Sequence, residues 1–299
     1  MGFREALGLA AKRWLPKSVQ RPIKRALEWR RDRQRAARGR ALVKITAWEE
    51  PACLLCGGHA VLPHFVYNGF AIVRCAADGM IFASPRPRDT APFYDQRYYQ
   101  GEMLCGYPDY AGYAASAQRD WAERLVALEK TLGRRGRLLD VGCATGVFLV
   151  QVRDAGWQVG GVELSEFAAR TARERHGLTV VQGSLPSGEL ASGSYDVVTL
   201  YDCIEHLADP AAVLRDVHRI LAADGLVQLS TGAVPHLDVG RISRWYYPPW
   251  HLYYFAEPTM RALLENEHFE VLSYEERGDR PEESLMVVLA RPVCAPASK

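Results

Sequence analysis

The sequence contains no apolar run near the roughly 18–20 residues that a bilayer-spanning helix requires, which points to a soluble or peripheral protein. It has no hydrophobic leader at its amino terminus, and its seven cysteines are an odd number. Both observations argue against a secreted disulfide scaffold and for a reducing compartment, with the cytoplasm as the expected location. Ala6 stands where a myristoylation signal wants Ser or Thr, so Met1-Gly2 is not a lipid-attachment signal. The G-x-G-x-x-G fingerprint of a dinucleotide fold is also missing. Net charge is small, at +2.

That small value hides an asymmetry. Residues 1–44 hold 14 Lys and Arg against Glu5, Glu28 and Asp32, a local +11 that leaves −9 for the rest. Phe3, Leu7, Trp14, Leu15, Ile23, Leu27 and Trp29 are spread among the arginines, a pattern compatible with interrupted basic helices. Such an arm suits an anionic membrane surface, which would place the protein peripherally at the inner membrane face, or a protein partner. Nucleic-acid phosphates rank behind these, and a solvated helical extension is the plain alternative. The chain is long enough, at 299 residues, for one large domain and a smaller module.

The smaller module is marked by Cys53-x2-Cys56-Gly57-Gly58 and, after 18 residues, Cys75-x2-Asp78-Gly79. Two tight turns that each offer ligands two apart are the zinc-ribbon arrangement, and a carboxylate is an acceptable fourth ligand beside three thiolates. The expected metal residues are Cys53, Cys56, Cys75 and Asp78, with His59 or His64 as substitutes for the aspartate. The alternative is a metal-free module with three buried thiols. Between the turns, Phe65-Val66-Tyr67 and Phe70-Ala71-Ile72-Val73-Arg74 flank Asn68-Gly69, which predicts a hairpin with a type I′ turn.

Residues 93–113 carry six tyrosines, Tyr94, Tyr98, Tyr99, Tyr107, Tyr110 and Tyr113, as a lid that is apolar on one side and polar on the other would. Interdomain packing would explain each of them equally well. Trp121, Leu125, Leu128 and Leu132 then recur at helical spacing up to Gly133. Beyond it, Leu138-Leu139-Asp140-Val141-Gly142-Cys143-Ala144-Thr145-Gly146 packs a buried strand, an acid and a glycine turn into nine residues, and Val147 to Val152 continue as a helix. Such a strand-to-helix turn lets backbone approach a ligand closely. Strands and helices alternate from here, which calls for a parallel sheet covered on both faces. Strands are expected at 158–164, 178–182, 195–200 and 226–230, with 269–275 and 285–290 as a closing hairpin edge. Glu163 falls some twenty residues after the glycine turn, where an acid can accept from both hydroxyls of a ribose; the alternative is an exposed carboxylate beside Ser165 as helix cap.

The fourth strand of this series ends in Tyr201-Asp202-Cys203-Ile204-Glu205-His206-Leu207-Ala208-Asp209-Pro210. Ligands of open α/β sheets bind beyond the carboxyl ends of the strands, so this turn faces the same crevice as Gly142. His206 suits a general base, with Glu205 to orient it, or else it only ties the loop together. Asp209 and Pro210 open a helix whose apolar face is Val213, Leu214, Val217, Ile220 and Leu221. A long connection, 231–247, leads to Pro248-Pro249-Trp250-His251-Leu252-Tyr253-Tyr254-Phe255.

Five of these motifs in this order, Leu139 to Gly146, Gly161-Val162-Glu163, Tyr195-Asp196-Val197-Val198, Glu205 to Pro210 and His251 to Phe255, resemble class I S-adenosylmethionine-dependent methyltransferases. Cys53-x2-Cys56-Gly57, Cys75, Ser84-Pro85-Arg86-Pro87 and Tyr94-Asp95-x2-Tyr98-Tyr99 are similar to the zinc-binding leader of a bacterial subgroup. The resemblance implies an α/β, Rossmann-like class I methyltransferase fold. Its seven-stranded sheet is mostly parallel with the last strand antiparallel, and a small amino-terminal zinc-ribbon-like module precedes it. It implies that Asp140, Gly142, Cys143, Ala144 and Gly146 hold the methionine end of S-adenosyl-L-methionine, that Glu163 and Leu164 lie at the ribose, that Ser184 lies at the adenine, and that Tyr201 and Asp202 lie under the amino group. Ala144 replaces a glycine, a mild change if φ there is negative, and His268 stands where a glycine often precedes the final strand.

The expected organisation is a basic arm (1–48), a zinc-ribbon-like module (49–92), a tyrosine-rich lid and linking helix (93–135), the cofactor-binding domain (136–292) and a tail (293–299). The expected activity is methyl transfer to an oxygen or carbon of a small molecule of sugar, glycan or secondary-metabolite type. His206 is the first choice of base, with His251 and Tyr99 in reserve and Glu205 to orient it or contact substrate, and the acceptor pocket is expected from 93–113 and 231–255. An RNA methyltransferase and a non-catalytic cofactor- or zinc-binding interaction protein are the competing readings.

Overall fold

The structure, a computed structural model, describes residue 45 and residues 47–67, 69–100, 110–234, 245–278 and 283–294. Residues 1–44 and 46 of the basic arm, Asn68 of the expected hairpin turn, Tyr107, Pro235, His236, Arg241, Arg244 and the end of the tail lie outside the described residues.

The amino-terminal part begins with β1 (Trp48–Glu49), β2 (Val61–Tyr67), β3 (Phe70–Cys75), β4 (Ile81–Ala83) and β5 (Arg86–Pro87). The hairpin of β2 and β3 is antiparallel, and Gly69 beside its turn has φ +79°. After a 3-10 turn at Ala91–Phe93 come α1 (Gln96–Tyr99) and α2 (Tyr110–Leu132), so Tyr110 and Tyr113, expected in a lid, are helical. The alternation then runs β6 (Arg137–Val141), α3 (Val147–Asp154), β7 (Gln158–Glu163), α4 (Glu166–His176), β8 (Val180–Gln182) and β9 (Tyr195–Tyr201). It closes with α5 (Pro210–Ile220), β10 (Leu221–Gly232), β11 (Tyr253–Tyr254), α6 (Glu257–Asn266), β12 (Phe269–Arg277) and β13 (Leu285–Pro292).

Seven strands make the main sheet in the order β12-β13-β10-β9-β6-β7-β8. Pairing from β10 to β8 is parallel, while β13 is antiparallel to both β10 and β12. The last strand is therefore inserted between the fifth and sixth, and β12 forms the edge. Side chains alternate across the sheet as the two-residue period of a strand demands. Leu138, Val197, Leu226 and Leu289 pack on one face with Trp121, Leu125 and Leu128 of α2, Phe148 and Leu149 of α3 and Ala169 and Ala172 of α4. Leu139, Val198, Val227 and Val288 pack on the other with Val213 and Leu214 of α5 and Met260 and Leu263 of α6. Val73, Met80 and Phe82 of the amino-terminal part join this second face, so it shares the core of the main sheet.

The helix starts follow from local chemistry. Ser165 caps α4 by accepting from Ala168 N, and Asp209 caps α5 by accepting from Ala212 N at 2.9 Å, with Pro210 first in the helix. Gly146 precedes α3 with φ +82°, and a Cβ there would lie 2.4 Å from Leu178 Cδ1 and 3.0 Å from Ala172 Cβ. Glycine is required both for the left-handed backbone and for the close approach of α3 to α4. Gly146→Ala is expected to destabilise the protein by about 2–3 kcal/mol through strain and overpacking. Urea unfolding checks this as a lower midpoint at unchanged slope, and an unaltered midpoint would show that the packing has room.

Candidate active site

The parallel strands bring their carboxyl ends to one edge of the sheet, and there a cavity of about 310 Å³ opens. Its wall contains nine of the ten residues expected to hold a cofactor: Asp140, Gly142, Cys143, Ala144, Glu163, Leu164, Ser184, Tyr201 and Asp202. The tenth, Gly146, is not on the wall; its place is the α3–α4 contact.

Glu163 is buried and tied down at both oxygens. Oε1 accepts from Ser165 N at 2.7 Å and Oε2 from Ala144 N at 2.8 Å, so the end of β7 fixes the glycine turn after β6. This excludes the exposed-carboxylate alternative. Ala144 has φ +49°, so the condition under which its replacement of glycine is mild is not met, and its amide bond to Glu163 accompanies that left-handed backbone. His268, with φ +62°, likewise occupies a conformation that suits glycine.

Burial pushes the Glu163 carboxyl up, against the pull of those amide donors. It pushes Asp140 up to about 7, with the Thr199 hydroxyl, 2.6 Å away, pulling down and Glu163 adding to the rise. Asp202 is raised by burial as well, and its Oδ2 accepts from Tyr113 OH at 2.9 Å. These three carboxyl groups, with the exposed Asp89, share one cavity whose single lining Lys or Arg among the described residues is the exposed Arg88. Such a wall fits a ligand that brings positive charge and hydroxyls.

His206 lines the same cavity, and burial pushes its imidazole down to about 4. Its Nδ1 lies 3.0 Å from Trp250 O and 2.9 Å from Tyr94 OH. Of the other expected catalytic residues, Glu205 and His251 sit behind His206 and do not reach the wall. Burial and Asp202 push Glu205 up to about 8. Tyr99 is on the wall, but its hydroxyl points to Glu163 Oε1, 3.4 Å away, at the cofactor end. The tyrosine that meets His206 is Tyr94.

The remaining wall comes from other segments, with residues 235–244 of the expected pocket outside the described residues. No described residue of 231–255 reaches the cavity; Trp245 covers Gly232, and Tyr253 and Tyr254 pair with β4. Instead Arg88, Asp89, Thr90 and Ala91 contribute, held there because Arg86 of β5 donates to Ala208 O at 2.9 Å and to Glu49 at 2.8 Å. The only signal for them in sequence is the proline-stiffened run that ends at Arg88. Trp121 and Phe148, both part of the core under the sheet, reach the wall as well.

Away from the cavity, one ligand atom from each of Cys53, Cys56, Cys75 and Asp78 lies within 4.8 Å of the others. Cys53 Sγ donates to Asp78 Oδ2 at 3.2 Å, and the Cys56 and Cys75 sulfurs are 3.6 Å apart. Tetrahedral zinc with bonds of about 2.3 Å needs sulfurs about 3.8 Å apart, so this donor set fits the ion. His59 and His64 are not part of the cluster.

A family model described as a methyltransferase domain matches residues 113–274. The chain is similar to the ubiquinone biosynthesis O-methyltransferases of Bordetella bronchiseptica, 38% identical over 36% of this chain and 48% of that protein, and of Pseudomonas paraeruginosa, 32% identical over 36% and 50%. It spans about half the length of these curated relatives. Among solved structures, the magnesium protoporphyrin IX methyltransferase of Synechocystis PCC 6803 with bound SAM is similar at a TM-score of 0.45 and 20% identity, over 62% of this chain and 81% of that one. Among the described residues no helix is long and apolar enough to cross a membrane.

Proposed function

Because this chain belongs to the methyltransferase-domain family, we propose that it transfers a methyl group from S-adenosylmethionine to an oxygen or carbon of a small-molecule acceptor. The observation that carries this reading is the convergence of Asp140, Glu163 and Asp202 on one cavity at the carboxyl ends of β6, β7 and β9. A sulfonium cofactor with an ammonium group and a ribose matches both their charge and their capacity to accept hydrogen bonds. The names of the relatives favour oxygen as the acceptor atom.

The bound cofactor supplies an electrophilic methyl carbon. The residues of the chain hold and aim the reactants. Glu163 accepts from the ribose hydroxyls while its amide bonds keep the Ala144 turn in place. Asp202, fixed by Tyr113, meets the amino group, and Asp140 lies in the floor between them. The acceptor lies between Tyr94, Tyr98 and His206, a wall apolar in its rings and polar at its tips. In-line placement contributes most of the rate in such a displacement, and His206, backed by Glu205 and His251, receives the acceptor proton. Cys53, Cys56, Cys75 and Asp78 hold a structural Zn²⁺.

Isothermal titration of the full chain with S-adenosylmethionine and with NAD tests the cofactor: micromolar affinity for the first and none for the second is expected, and the reverse would refute the reading. With an acceptor found by screening phenols and nucleotide-linked sugars for release of S-adenosylhomocysteine, His206→Ala is expected to lower kcat about 100-fold or more at unchanged cofactor affinity. Full turnover in that variant would make the histidine a loop anchor.

A further inference from the structure

The turn after β9 contains a second cluster, of which methyl transfer uses only the edge. One ligand atom from each of Glu205, His206 and His251 lies within 4.8 Å of the other two. Glu205 is 2% exposed, and Thr231 hydrogen-bonds its carboxyl, yet Oε2 is buried and has no hydrogen-bond partner among the described residues. A buried acceptor left in this state costs roughly 1–3 kcal/mol, more where the group is charged, so it calls for an explanation.

The two histidines supply one. Their rings meet edge to face, with centroids 4.6 Å apart. Each Nδ1 lies against a main-chain carbonyl, His206 at 3.0 Å from Trp250 O and His251 at 2.8 Å from Trp245 O. A carbonyl only accepts, so each ring carries its hydrogen on Nδ1 and keeps a lone pair on Nε2. Ligating histidines are oriented in this way, with the second nitrogen donating to a carbonyl or carboxylate. The backbone bond from Leu252 N to Glu205 O, 2.8 Å long, locks the two segments together, so the cluster stands on a fixed frame.

We propose that Glu205, His206 and His251 form a binding site for a divalent transition-metal ion, with two imidazoles and one carboxylate as its protein ligands. This donor set selects ions such as Fe²⁺, Co²⁺ or Zn²⁺ over Mg²⁺ and Ca²⁺, which prefer all-oxygen surroundings. What the ion does rests on the methyl-transfer reading. His206 is the one ligand on the cavity wall, and with its Nε2 on the ion it no longer takes the acceptor proton; the ion, reached past His206, lowers the pKa of the acceptor hydroxyl as a Lewis acid, and the proton leaves to bulk water.

The test is a Co²⁺ titration of the chelator-stripped full chain, followed by absorption. One equivalent is expected at the cysteine cluster with intense thiolate-to-cobalt charge transfer, and a second with only weak visible bands. Glu205→Gln, nearly isosteric, and His251→Ala should each lose the second equivalent and keep the first. A wild-type protein with no thiolate-free equivalent, or variants that retain it, would overturn the proposal. Spin-echo spectroscopy of Cu²⁺-loaded wild type gives a check independent of any variant's folding: modulation from two imidazole nitrogens is expected, and none refutes the site. Affinity for S-adenosylmethionine is measured separately, so either reading can fail while the other stands.

Discussion

Glu163→Ala is expected to weaken S-adenosylmethionine binding by about 100-fold or more without unfolding the protein. Two losses combine. The carboxylate no longer accepts from the ribose, and hydrogen bonds to a charged group contribute about 1.5–3 kcal/mol each. The amides of Ala144 and Ser165 also lose their acceptor, which frees a turn whose alanine sits at φ +49°. Glu163→Gln separates the two effects, because its one remaining carbonyl can serve only one of the amides; its affinity should fall between wild type and alanine. Titration calorimetry, with circular dichroism as the control for folding, reads both. Unchanged affinity in the alanine variant would remove the ribose from this end of the cavity.

Asp140→Asn is expected to stabilise the cofactor-free protein at pH 8 while it weakens cofactor binding. The Asp140 carboxyl is pushed up to about 7 in the folded chain from an ordinary value of 3.8. The folded state therefore holds this proton more tightly than the unfolded state does. The resulting stability is complete below about pH 4 and is lost as pH rises through 7. Its full extent is of the order of a few kcal/mol. Asparagine keeps an oxygen to accept from Thr199 Oγ1 and cannot ionise, so the melting temperature at pH 8 should rise by roughly 5–10 °C and its fall between pH 5 and pH 8 should shrink. The slope that remains belongs to Glu163, Asp202 and Glu205, all raised in the same direction, less the opposing contribution of His206 and His251, whose lowered imidazoles lose stability as pH falls. A wild-type melting temperature that is level across this range would contradict the argument, as would a variant that is destabilised equally at both ends.

The parts of the site that were legible in sequence are those in which strand, turn and helix follow one another directly. Leu138 to Gly146 signalled a strand and a glycine turn by local pattern alone, and Glu163 followed from its distance along the chain. The capping residues Ser165 and Asp209 stand where expected for the same reason. What sequence did not convey depends on tertiary placement. Six tyrosines in one segment look alike until Asp95 caps α1, accepting from Arg97 N, and so sends Tyr94 toward His206 and Tyr99 toward Glu163. Arg88 to Ala91 reach the cavity through Arg86, whose partner Ala208 is 122 residues away, a contact no local pattern announces. The resemblance groups Gly146 with Gly142 at the cofactor, and a motif alone does not distinguish a glycine that lines a cavity from one that faces a helix. The family resemblance supplied the antiparallel last strand, which periodicity alone placed only as an edge hairpin.

One pairing bears on how the chain is made. β4 is completed by β11, through Phe82 opposite Tyr253, and these residues are 171 positions apart. At about 5–20 residues per second of synthesis, the ribosome delivers β11 roughly 10–35 s after β4. During that interval the nascent amino-terminal hairpin carries an open strand edge and the unburied side chains Val73, Met80 and Phe82. The amino-terminal strands are thus made well before the strand that completes their sheet, and in that interval their open edge is a surface that chaperones recognise.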